Sequence, residues 1–199
     1  MPVEPGKVMR KRPLQAIQGI SIPGPGRNSR LKLLTLAVLI LASFARFKSP
    51  GEDYTLHANI IYRFTKYIDW PDTKKSGDFI IGIVGESPLY DALKRLSATK
   101  MVGTQKIVVN KVSSSAGVYN CHILFIGDDE SGSVKKISAA TAGAPVLIVS
   151  ESNGLARKGS CINFITVDDK LKLEINKTSI EQRNLRIASE LLELGIIIK

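Results

Sequence analysis

Cys121, Cys161, His57 and His122 are the side chains of this sequence best suited to nucleophilic, redox or soft-metal chemistry. Cys121 and His122 are adjacent, and on a strand adjacent side chains point to opposite faces, so they cannot form a nucleophile–base pair by themselves. His57 would have to approach in space. It shares a helical face with Tyr54, Ile61 and Phe64, where a packed imidazole is the ordinary outcome. Two cysteines fit an exported protein and argue against a zinc centre. If Cys121 and Cys161 pair, the closed loop of about 41 residues contributes roughly 4 kcal/mol in the chain-entropy model. The alternative is two independent buried thiols acting as small hydrophobes. Asp128-Asp129-Glu130 and Asp168-Asp169 offer hard oxygen ligands but lack the alternation and terminal glutamate of a calcium loop, so they read as turn acids. Gly82-Ile83-Val84-Gly85 stands where a phosphate-binding turn would stand. It lacks the GxGxxG spacing and the P-loop lysine, and a tight turn capped by Ser87 accounts for it. Ser152-Asn153-Gly154 follows a strand, a position that serves either ligand contact or a plain turn. No catalytic constellation emerges. The chain reads as a binding protein rather than an enzyme, with no metal or cofactor expected.

The more distinctive chemistry is aromatic. The segment Ile60 to Pro71 carries Tyr62, Tyr67 and Trp70 on the flanks of a helix whose inward face is already supplied by Ile61 and Phe64. These three either cover a second layer of their own domain or belong to a partner surface, where Tyr and Trp are enriched.

The net charge of +10 divides unevenly. Residues 1–45 hold seven basic residues and one acid, while residues 46–199 carry a net of only +4 with both signs interspersed. No concentrated basic stripe is left to track phosphates, so nucleic acid is not the expected partner. The apolar run from Leu33 to Ala45 is too short to span a bilayer but fits a signal-peptide core. Arg27, Arg30 and Lys32 precede it, and Ser43-Phe44-Ala45 supplies small residues at minus three and minus one. Residues 1–30 therefore read as a disordered or non-native extension and 31–45 as a signal peptide cleaved after Ala45. The alternative is an uncleaved anchor, the only membrane attachment expected.

Elements that would position these residues follow from periodicity. A helix is predicted from about Glu52 to Asp69, ended by Pro71, which disfavours helical geometry at Trp70. Strands are predicted at Phe79–Val84, Lys106–Val112, Cys121–Ile126 and Pro145–Val149, with a helix starting at Pro88 and a weaker one over 133–141. Cys161–Val167 and Leu171–Ile175 alternate around Asp168-Asp169-Lys170 as an antiparallel hairpin. One long helix, capped by Asn176 or Thr178, is expected to carry Ile180, Leu185, Ile187 or Ala188, and Leu191 or Leu192 inward, and Ile196–Ile198 to add a terminal strand. The sum is a single α/β domain over 52–199: a mixed, mostly parallel sheet flanked by helices, with a C-terminal antiparallel hairpin.

Seven segments, taken in order, carry a further signal, beginning with Tyr62-Arg63-Phe64-Thr65-Lys66-Tyr67-Ile68-Asp69-Trp70-Pro71, Ile81-Gly82-Ile83-Val84-Gly85 and Asn120-Cys121-His122-Ile123-Leu124-Phe125-Ile126. Val146 to Ser150, Ile162-Asn163-Phe164, Leu173-Glu174-Ile175-Asn176 and Leu185 to Leu192 complete it over most of 52–195. Together they resemble the YfiR family, which includes HmsC-type regulators. The resemblance implies a periplasmic, non-enzymatic regulator that represses an inner-membrane signalling protein. In the best-known members the target is a diguanylate cyclase, so the output is cyclic-di-GMP and biofilm formation. Members often carry additional paired cysteines; here only Cys121 and Cys161 remain, which puts redox gating in doubt. A sensor kinase is the other expected partner class, and homodimerisation stays open. The competing reading is a periplasmic small-ligand sensor whose pocket mouth is formed by the loops after Ile126 and Val149.

Overall fold

The computed structural model describes residues 54–198, so the extension, the signal peptide and its cleavage after Ala45 lie outside the described residues. Helix α1, Thr55–Tyr67, buries His57, Ala58, Ile61 and Phe64, a single stripe at helical spacing. It stops two residues short of the predicted end. Ile68 adopts extended geometry, and β1, Ile68–Asp69, pairs antiparallel with β9, Arg186–Ile187. Tertiary strand pairing, with the extended bias before Pro71, outcompetes the last half-turn of helix.

Beyond Pro71 the chain builds an eight-stranded sheet. Its strands are β2 (Phe79–Val84), β3 (Met101–Val102), β4 (Gln105–Val112), β5 (Ile123–Ile126), β6 (Leu147–Glu151), β7 (Ile162–Val167), β8 (Lys170–Ile175) and β10 (Ile196–Ile197). Their spatial order is β10-β8-β7-β6-β5-β2-β4-β3. The five central strands, β7 through β4, run parallel. The hairpin β7–β8 and the edge pair β3–β4 are antiparallel, while β10 returns parallel to β8. Asp168 and Asp169 close the hairpin with φ of 50° and 56°, the left-handed pair that a two-residue turn demands. The expected α/β class, mixed sheet and hairpin are therefore present. Every residue of β5 is fully buried, as a central parallel strand covered on both faces must be. Each such side chain contributes about 1.5–3 kcal/mol through burial.

Helix α2, Leu89–Ser97, crosses from β2 toward β4, and α3, Val134–Ala140, from β5 to β6. The predicted long C-terminal helix is not formed. Asn176 does cap a helix, accepting from the Ser179 backbone N–H at 2.8 Å, but α4 covers only Lys177–Glu181. Asn184 then turns left-handed, β9 intervenes, and α5 spans Ser189–Glu193. The buried Arg183 explains the break: its guanidinium donates to Ser179 O at 2.9 Å and to Ser138 Oγ at 2.8 Å, tying the turn to α3. The predicted terminal strand does form, as β10.

Candidate functional site

Trp70 sits where the chain leaves β1 and must cross to β2. Only 5% exposed, it donates from Nε1 to the carbonyl of His122 at 3.3 Å and meets Phe79 edge-on at 5.2 Å. The His122 ring stacks on Phe79 at 4.3 Å. Its Nδ1 lies 3.0 Å from the Ile80 backbone nitrogen, which can only donate, so Nδ1 accepts. Nε2 therefore carries the proton and donates to Lys74 O at 2.8 Å. Burial pushes the pKa of this imidazole below its ordinary value. The predicted strand start at Cys121 moves to Ile123 for the same reason: at this level an imidazole, not a carbonyl, receives the β2 N–H. Trp70 is thus an internal anchor.

Tyr62 is half-buried and donates through its hydroxyl to Met101 O at 3.1 Å, pinning edge strand β3. Tyr67 lines a groove with mostly apolar walls. Ile60, Tyr67, Leu171, Leu173, Leu191 and Leu194 form its walls, Arg63 and Lys172 border it, and its volume is about 280 Å³. Leu194, Ile196 and Ile197 stand exposed, on α5 and edge strand β10 or beside them.

The two cysteines do not bridge. Both are free and buried. Cys121 leads into β5 and Cys161 into β7, and β6 lies between those strands. Two strand spacings amount to about 9.5 Å, beyond the roughly 7 Å that a disulfide tolerates between Cα atoms. Burial pushes the Cys121 thiol up to about 12 and the Cys161 thiol up to about 11. These are inert thiols, not nucleophiles. His57 packs between Tyr54, at 4.7 Å, and Phe164, at 4.8 Å between ring centroids.

The turn after β2 does not take a phosphate-like ligand because the chain supplies its own carboxylate. Gly85 is left-handed at φ +88°, and the Glu86 backbone N–H donates to Asp129 Oδ2 at 2.8 Å. Glu130 accepts from Ser114 and Ser133, so the Asp128–Glu130 acids mostly fasten loops. Among the described residues no group of three or more His, Cys, Asp or Glu is arranged to hold a metal ion. The loops after Ile126 and Val149 do converge. Ser152 donates to Asp128, and both border a cleft of about 460 Å³ with Glu151, Asn153, Tyr54, His57 and Phe164.

Sequence reasoning missed the polar layer beneath that cleft. Asn163 on β7 and Glu174 on β8 stand directly opposite in register, and Asn163 Nδ2 donates to Glu174 Oε2 at 2.8 Å. Asn163 Oδ1 accepts from Ser150 Oγ at 2.7 Å, and all three residues are buried. The signal was a polar residue at an inward position of each strand, within Ile162-Asn163-Phe164 and Leu173-Glu174-Ile175.

A flavodoxin-like order of five parallel strands, with Asp129 filling the turn after β2, defines an α/β domain. The model of the YfiR/HmsC-like family matches residues 54–196, and the chain belongs to that family. It is a regulatory rather than catalytic family of periplasmic proteins acting in cyclic-di-GMP signalling. A comparison with curated proteins found no match.

Proposed function

We propose that this protein is a periplasmic, non-enzymatic repressor that binds the external part of an inner-membrane diguanylate cyclase and thereby lowers cyclic-di-GMP and biofilm formation. The observation that carries the reading is family membership over nearly the whole of the described residues. The burial of both thiols and both histidines supports it, because it leaves the candidate reactive side chains as packing groups. Repression is a linkage effect: a protein that binds the inactive state of its target shifts the population toward that state.

The face that suits a partner is the groove holding Tyr67. Its apolar floor and the neighbouring Leu194, Ile196 and Ile197 fit an apolar segment, and Arg63 and Lys172 on the border complement an acidic flank on that segment. The occupant is the cyclase's periplasmic segment. A photo-crosslinking residue at position 67 or 194, introduced in living cells, tests this. The expected product is a crosslink to a membrane protein bearing a cyclase domain, absent when the same residue replaces Lys106 on β4, near the far edge of the sheet. Crosslinks of equal yield from position 106, or none from 67 and 194, would refute the assignment.

A further inference from the structure

The turn after β6 carries chemistry that goes beyond the repressor reading and does not depend on it. The chain leaves the sheet at Glu151 and enters the tight turn Ser152-Asn153-Gly154-Leu155, where the Leu155 N–H donates to Ser152 O at 3.4 Å. Gly154 is left-handed at φ +79°, a geometry that favours glycine at the third position of such a turn. The fold thus places, directly after an asparagine, the one residue type with no side chain to screen its backbone nitrogen.

Both ends of the turn are fixed while its tip is free. Asn163 Oδ1 accepts from the Ser152 N–H at 3.3 Å, Asn163 Nδ2 donates to Ser152 O at 2.8 Å, and Leu155 is buried. Asn153 is exposed, and among the described residues neither its side-chain amide nor the Gly154 N–H makes a hydrogen bond. The other described asparagines differ. Asn59, Asn120, Asn163, Asn176 and Asn184 each engage the side-chain amide in a hydrogen bond, and Asn110 lies in β4, paired with β2. Each of these is followed by a residue that has a side chain. An unbonded amide next to an unbonded, unscreened backbone N–H suits intramolecular cyclisation, in which proximity replaces a second molecule.

We propose that Asn153-Gly154 is a self-modifying site, at which the folded protein converts the asparagine to isoaspartate and aspartate. The Gly154 nitrogen attacks Asn153 Cγ: the N–Cγ bond forms, the Cγ–Nδ2 bond breaks, and the displaced proton leaves with Nδ2 as ammonia. Water then opens the cyclic imide at either carbonyl. One opening restores the ordinary backbone with an aspartate side chain, and the other routes the chain through the former side-chain carbonyl. No electrons are transferred, and water is the only co-reactant. Asn153 borders the same cleft as Asp128, so the product adds a negative charge there while the bonds of Asn163 and the burial of Leu155 hold the fold.

Ageing of the full chain in mildly alkaline buffer, followed by tryptic mass spectrometry, tests this. Cleavage after Lys136 and Arg157 isolates residues 137–157, in which Asn153 is the single asparagine or glutamine. The expected result is a mass gain of about one dalton in that peptide, with isoaspartate exceeding aspartate, at a rate comparable to that of the same peptide in isolation. Gly154→Ala should slow the reaction about tenfold or more, because a methyl group crowds the attacking nitrogen. Asn153→Gln, at an exposed position, should fold as the parent does and show no gain over the same period. Retention of the amide in the native chain while the isolated peptide reacts would overturn the proposal. A product of aspartate alone, or an unchanged rate in Gly154→Ala, would overturn it equally. Because the readout is a chemical change at one residue, failure here leaves the repressor reading standing, and failure of crosslinking at Tyr67 leaves this one standing.

Discussion

His122 is neutral because Nδ1 must accept from Ile80 and because burial disfavours its charge. A histidine whose folded pKa lies below its unfolded value of 6.5 takes up its proton more readily when unfolded. Stability is therefore fully present above about pH 6.5 and is lost as pH falls from there through the folded pKa. Asp69 shows the second acid window: hydrogen bonding to Arg186 and then to Lys75 holds its carboxyl below 3.8, so that loss comes only at lower pH. Thermal midpoints measured from pH 7.5 to 4.5 should fall in the parent, and the slope should flatten in His122→Gln. An equally steep profile in the variant would place the acid sensitivity elsewhere. The thiols make a second residue-scale test. Native protein should leave Cys121 and Cys161 unmodified by a thiol reagent at pH 8, and denaturation without reductant should release both. Prompt labelling of the native state, or no thiol after denaturation, would contradict the buried free pair.

Elements differ in how far the sequence exposed them. The central strands β2 and β5 were readable because both of their faces are buried, so Phe79–Val84 and Ile123–Ile126 are almost unbroken apolar runs. The hairpin was readable from alternation around Asp168-Asp169. The last segment was misread because the buried Ile180 and Leu191, eleven residues apart, would fall on one face of a continuous helix, a match that Leu185 does not share. What breaks that helix is non-local: Arg183 bonding to Ser138, and β9 pairing with β1. No local signal encodes such contacts. Of the candidate site, the loops after Ile126 and Val149 were legible, but the burial of Trp70 was not, since aromatic flanks serve a second packing layer and a partner equally well. The turn after β2 offers a direct test of element-level design. Gly85→Ala would force a side chain into left-handed geometry and onto the Asp129 carboxylate. Denaturant unfolding should show a loss on the order of 2–4 kcal/mol. Gly103→Ala, also left-handed but with open space around it, should cost only about 1 kcal/mol. Equal losses at the two positions would dismiss the Asp129 clasp.

At the scale of the whole molecule, the reactive groups lie inside, and three exposed large apolar side chains, Leu194, Ile196 and Ile197, stand at or just before the edge strand β10, while Leu56, Met101, Val118 and Val167 are scattered elsewhere. Leu194 is 66% exposed, and Ile196 and Ile197 nearly half exposed, beside the groove of Tyr67. Leu194→Glu should leave the fold intact, because the side chain already stands in water, yet it should disable a surface that works by apolar burial. Cyclic-di-GMP quantified in cells lacking this protein, and in the same cells supplied with the parent or with Leu194→Glu, tests the repressor account most directly. The account predicts that the nucleotide rises on deletion, returns with the parent and stays high with the variant at equal protein level. An unchanged level on deletion would contradict it.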